Sequence, residues 1–154
     1  MTTETIATSQ SRSILHTLSL ILVVIGLIVS GYISYTKLTD TELVCADDGA
    51  ISCSVVQNSA YAKFAGIEIA YLGFLTYVGL GGLLLLENRI SLLRDYGKSL
   101  VFGITLFAFL YAIWLVYVQA AVLAAFCAWC LAHEVTITLL FVVSALRLWQ
   151  ELRD

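Results

Sequence analysis

Not one proline occurs in this chain of 154 residues. An interior proline removes a backbone hydrogen bond and clashes with the preceding turn, so its absence leaves long helices free to run unbroken. Charge is scarce as well: Asp, Glu, Lys and Arg make up 12% of the residues, where a soluble domain holds about 25%. So little polar surface cannot keep a chain of this length in water, and the composition excludes an ordinary soluble domain. There is no basic block and the formal net charge is −3, which argues against a nucleic-acid surface. A cleavable leader is not indicated either, because the first apolar run is too long for one.

What is abundant is apolar: 60% of the residues are hydrophobic and the mean hydropathy is +0.94. Four runs stand out, at about 14–35, 66–86, 100–120 and 127–149. Each is close to the roughly 20 helical residues that cross about 30 Å of hydrocarbon. The expected fold class is an all-α integral membrane protein, a four-transmembrane-helix bundle with a long outer loop carrying a short amphipathic helix. That helix is expected after Cys53, with Val56, Ala60 and Phe64 on one side. Residues 1–13, polar and rich in Thr and Ser, are expected to be a disordered cytoplasmic tail, 14–150 the transmembrane domain, and 151–154 a second tail.

The basic residues set a direction. With the N-terminus inside, Arg12, Arg89, Arg94, Lys98, Arg147 and Arg153 are cytoplasmic and only Lys37 and Lys63 are outside. The positive-inside rule favours this arrangement, with both termini and the turn between helices two and three in the cytoplasm.

All four cysteines then share the outer face, where disulfides form and persist. Cys45 and Cys53 lie in the long loop around the turn-forming Asp47-Asp48-Gly49, and Cys127-Ala128-Trp129-Cys130 opens helix four. Thiol–disulfide exchange proceeds by thiolate attack, and a helix start, with its free N–H groups and positive dipole end, favours a thiolate. The i, i+3 spacing puts Cys127 and Cys130 on one face. Two close pairs sorted to one side point to a redox relay. A membrane protein braced by static disulfides, and a metal-binding membrane sensor using the Cys-x-x-Cys with His133, are the competing readings. The relay reading assigns no metal.

Further site candidates follow from helical spacing and burial. Gly66, Ala70, Gly73 and Tyr77 form a narrow stripe on helix two, suited to close helix packing or to a groove for a flat ring. Trp129, Tyr71 and Phe126 suit the membrane interface. His133 and Glu134 are polar residues in an apolar helix, where such groups usually face the interior or a water-filled cavity. Glu134 lies seven residues beyond Cys127, about 10 Å along the helix and on roughly the same face.

These residues resemble the vitamin K epoxide reductase family in its prokaryotic form. The resemblance covers nearly the whole chain after residue 13. It is carried by the loop pair Cys45 and Cys53, the segment 53–61 (CSVVQNSAY), Gly66-Ile67, Ala70-Tyr71-Leu72-Gly73 and the closing Cys127-Ala128-Trp129-Cys130. It implies an oxidoreductase of the cell (inner) membrane that reoxidises a thioredoxin-like (DsbA-like) carrier, soluble or membrane-tethered. The electrons pass to a membrane quinone of the ubiquinone or menaquinone class, which supports disulfide formation. By the same resemblance Cys45 and Cys53 are the shuttle pair, Cys127 receives electrons through a transient bond to Cys53, and Cys130 faces the quinone. No thioredoxin domain follows helix four, so the carrier is expected to be a separate protein. Ser59, Ala70, Gly73, Tyr77, Trp129, His133 and Glu134 are the candidate quinone contacts. Two positions depart from the family pattern: Glu68 stands where relatives often have proline, and Glu134 where animal enzymes have a tyrosine.

Overall fold

The computed structural model describes residues 2–46 and 48–153. Four long helices form the bundle: α1 (Thr2–Leu38), α3 (Ile69–Leu86), α4 (Ser91–Tyr117), which continues into a π-helical stretch (Val118–Leu123), and α5 (Ala128–Arg153). A short helix, α2 (Cys53–Gln57), one 3₁₀ turn (Ala60–Ala62) and a two-stranded hairpin of β1 (Lys63–Phe64) and β2 (Ile67–Glu68) occupy the connection between α1 and α3. Four segments are long and apolar enough to cross a membrane: Ser9–Leu38, Ile69–Leu86, Ser91–Leu123 and Ala128–Arg153. The protein is a multi-pass, all-α membrane bundle.

The periphery departs from the pattern of a soluble protein. Ile28, Leu75, Phe107 and Val135 are exposed on the outside, whereas Ser19, Ser30, Thr105 and Ser144 are buried between helices. Lipid leaves apolar side chains at no disadvantage on the periphery, so small and hydrogen-bonding residues take the contacts. Thr105 Oγ1 and Ser144 Oγ meet at 2.7 Å and join α4 to α5. Gly26 of α1 accommodates the Tyr77 ring of α3, since a Cβ there would lie 2.1 Å from the ring. Tyr77, Leu80, Ile137 and Leu140 complete the central core. At the end remote from the cysteines, Arg147 Nη2 bonds both Glu87 carboxylate oxygens, at 2.9 and 2.7 Å, and ties α5 to the end of α3.

Several expected boundaries shift. Residues 2–13, expected as a disordered tail, continue α1, because nothing before Gly26 breaks a helix. At 151–153 the second expected tail is also helical, and Asp154 lies outside the described residues. The turn between α3 and α4 is shorter than expected, so Arg94 and Lys98 sit on α4 itself. Gly66 does not open the second span; with Ala65 it makes the turn of the β1–β2 hairpin, both at positive φ (51° and 84°), as a tight hairpin turn demands. The helix after Cys53 is real but short. It ends at Gln57, so Val56, Ala60 and Phe64 do not share a helical face, and Phe64 is exposed.

Candidate thiol–disulfide site

The loop between α1 and α2 is stitched to the segment that enters α5. Ser52 N–H donates to the Phe126 carbonyl and Phe126 N–H to the Ala50 carbonyl, both at 2.9 Å. The two residues that follow these partners are Cys53 and Cys127. Both are almost wholly buried, at 2% and 0% exposure, and they share one cluster with Val56 and Ala125, against which Cys45 and Cys130 pack. All four cysteines therefore meet at one end of the bundle, 45 and 53 joined as a disulfide and 127 and 130 free. Asp47 of the expected turn lies outside the described residues; Gly49, at φ 60°, and an Asp48–Ile51 bridge close the loop.

Hydrogen-bond donors converge on the free pair. Cys130 N–H donates to Cys127 Sγ at 3.3 Å, the bond expected of a helix-initiating residue. Gln57 Nε2 lies 3.2 Å from Cys130 Sγ and 3.9 Å from Cys127 Sγ. Cys127 sits one residue ahead of the spanning helix. Hydrogen bonding from the Cys130 side chain, then from nearby backbone N–H groups and Gln57, holds its thiol below the ordinary range, against the opposing effect of burial. That favours the nucleophilic thiolate. Among the described residues no group of three or more His, Cys, Asp and Glu converges to hold a metal.

Beneath Cys130 lies a cavity of about 90 Å³. Gln57, Ser59, Cys130, His133, Glu134 and Gln119 bring polar atoms to it, and Ile33, Ala70, Leu115 and Val118 line the rest. Glu134 is 5% exposed; its Oε1 accepts from Gln119 Nε2 at 2.9 Å, while its Oε2 has no partner among the described residues. The oxygen of the same amide, Gln119 Oε1, accepts from Cys127 N–H at 3.0 Å. A second space, an apolar groove of about 780 Å³ between α3 and α4, shares Ile69, Leu115 and His133 with the cavity.

A family model described as the vitamin K epoxide reductase family matches residues 17–145. The chain belongs to that family. Vitamin K epoxide reductase proteins are membrane thiol–disulfide oxidoreductases, and as a family they use quinones and thioredoxin-like redox partners. The matched residues span the four helices and all four cysteines.

Within this family member the expected site residues divide into three groups. Ser59, Ala70, His133 and Glu134 line the cavity with Cys130. Gly73 and Tyr77 line the groove instead, and the bare Gly73 backbone makes room for His133, whose Nε2 lies 3.0 Å from where a Cβ would stand. Trp129 lines neither space. Its ring packs on Tyr32 at 4.7 Å and its Nε1–H donates to the Val44 carbonyl at 3.0 Å, pinning the outer loop one residue before Cys45. Two glutamines, Gln57 and Gln119, were not among the expected residues. Gln119 carried a legible signal, an amide in an apolar run. Gln57 carried none, because a polar residue in a loop is ordinary.

The end of α2 is held by Lys37 at the end of α1. Its Nζ donates to the Gln57 carbonyl at 2.6 Å and lies 3.9 Å from Glu68, which also faces Lys63 at 3.5 Å. Glu68 thus ties the hairpin to α1.

Proposed function

We propose that the protein takes two electrons from a thioredoxin-like dithiol carrier and delivers them to a membrane quinone. The observation that carries this reading is the juxtaposition of Cys53 and Cys127 in one buried cluster, with Cys130 on the wall of the cavity beyond. A carrier thiolate attacks the Cys45–Cys53 disulfide; a second attack releases the oxidised carrier and leaves Cys45 and Cys53 as thiols. Cys53 then attacks Cys127 of a Cys127–Cys130 disulfide, forming a Cys53–Cys127 bond that Cys45 resolves. The products are a joined loop pair and a free helix pair, the redox state of this structure.

A quinone of the ubiquinone or menaquinone class supplies a two-electron, two-proton acceptor. The site suits one: apolar walls for a flat ring, with Gln57, Ser59, His133 and Glu134 for its oxygens, and an adjoining groove for an apolar tail. Cys130, nearest the cavity, gives up the electrons as the Cys127–Cys130 bond reforms, and the unpartnered Oε2 of Glu134 is placed to hold a proton there. The cysteines face outward from the cell membrane and both termini are cytoplasmic, in keeping with the distribution of Lys and Arg.

The test is anaerobic mixing of the purified protein with a reduced thioredoxin-like protein and a short-chain quinone, following quinol. Stoichiometric quinol and oxidised carrier are expected. Cys130→Ser should abolish quinol formation, because no Cys127–Cys130 disulfide can form; the Cys127 thiolate can still attack Cys53 of the loop disulfide, releasing Cys45 and leaving a Cys53–Cys127 mixed disulfide to be trapped. Normal turnover by that variant overturns the assignment of Cys130.

A further inference from the structure

The short helix α2 begins at Cys53 and ends at Gln57, so the two side chains stand one turn apart on the same face. Cys53 is buried against Cys127 and Val56, while Gln57 Nε2 lies 3.2 Å from Cys130 Sγ and 3.9 Å from Cys127 Sγ. The two sulfurs of the free pair are served differently. Cys127 Sγ accepts from the Cys130 N–H at 3.3 Å, a bond the start of α5 supplies by itself. Cys130 Sγ takes its donor from another element, the Gln57 amide of α2. Gln57 also lines both compartments: the outer cleft of about 250 Å³ that holds Cys45 and Cys53, and the cavity that holds Cys130. Its backbone is fixed independently of its side chain, because Lys37 Nζ donates to its carbonyl at 2.6 Å.

We propose that Gln57 is a catalytic residue of the transfer between the two cysteine pairs, the donor that stabilises Cys130 as the leaving thiolate. The inference rests on the relay proposed above. In that step the Cys53 thiolate attacks Cys127; the Cys53–Cys127 bond forms, the Cys127–Cys130 bond breaks, and its electron pair leaves on Cys130. No proton moves, and the charge passes from one sulfur to another. Exchange is faster the better the departing sulfur bears charge, and a fixed N–H aimed at developing charge does more in a buried site than in water. The distances also select which sulfur departs. The amide stands closer to Cys130 than to Cys127, so charge is favoured on Cys130 and attack is directed to Cys127. One helix thus carries both the nucleophile and the donor to the leaving sulfur, and its packing against the start of α5 sets the two together.

The experiment starts from the full chain in detergent with both pairs oxidised and adds a reduced thioredoxin-like protein, anaerobically and without quinone. Acid quenching and thiol alkylation, read by peptide mass spectrometry, time oxidation of the carrier and opening of the helix pair separately. In Gln57→Leu the first oxidation of the carrier should keep the parent rate. Thiols at Cys127 and Cys130 should appear about ten- to a hundredfold more slowly, the usual contribution of a hydrogen bond to a charged group. Gln57→Glu, which keeps the shape but only accepts when ionised, should be slowed at least as much. A second arm separates the chemistry from a folding defect. In Cys130→Ser the Cys127 thiolate attacks Cys53 and Cys45 departs, so adding Gln57→Leu there should leave the trapping rate as it was. Equal slowing of that trapping would mean a displaced α2 and overturn the proposal, as would parent-rate opening of the helix pair in either Gln57 variant. A helix pair that stays closed in the parent as well would overturn the relay itself, and this inference with it.

Discussion

Glu134 has one carboxylate oxygen committed to Gln119 and the other facing no partner among the described residues, within 5% exposure and on the wall of the Cys130 cavity. A buried acid with one oxygen unengaged is chemically useful where an acceptor must gain protons along with electrons. Gln119 fixes which oxygen is left, since its own carbonyl oxygen is held by Cys127 N–H and its amide cannot turn without losing that bond. Glu134→Gln keeps the shape and removes the transferable proton. Quinol formation should slow by about 10²–10⁴-fold, the usual contribution of a general acid, while single-turnover exchange between the carrier and Cys45/Cys53 is unchanged. Rates within about twofold of the parent across roughly pH 6 to 9 would remove Glu134 from the proton path.

At the scale of elements, α1 and α3 meet where Gly26 receives the fully buried Tyr77 ring, and Tyr77 in turn stands edge-on to His133 at 5.4 Å. The helix spacing that sets the back wall of the site thus depends on one missing side chain. Gly26→Ala would place a Cβ 2.1 Å from the buried Tyr77 ring, and such overpacking costs about 1–3 kcal/mol. A lower unfolding midpoint in detergent is expected for Gly26→Ala, with partial recovery when it is combined with Tyr77→Leu. A midpoint equal to the parent's would show that the two helices part freely there. The α3–α4 seam behaves differently, since there the groove of about 780 Å³ separates the helices.

For the whole molecule, the redox end and the charged end are opposite faces of one bundle. The four cysteines and the hairpin gather at one end, and Arg12, Arg147, Glu87 and Lys98 at the other. Single-cysteine variants probed with a membrane-impermeant thiol reagent should place residues 40–63 outside and the turn at 87–90 inside. Labelling of the turn from outside would reverse the orientation and put the relay in a reducing compartment, where its loop disulfide could not persist.

The amino-acid sequence by itself determined the class of the protein. Apolar run length, the lack of proline and the scarcity of charge are one-dimensional quantities, and each acts through local backbone and solvent physics. The same holds for the Cys-x-x-Cys at a helix start, since its spacing and the free N–H groups belong to a single turn. Tertiary structure decided what touches what. Backbone pairing of Ser52 with Phe126 brings Cys53 to Cys127 across more than 70 residues of chain. Trp129 went to the loop rather than the cavity because its N–H found the Val44 carbonyl. Gln57 gained its place beside two sulfurs only because Lys37 caught its carbonyl and the helix ended there. Such contacts depend on how separate helices close on one another, and no periodicity along one chain segment records them.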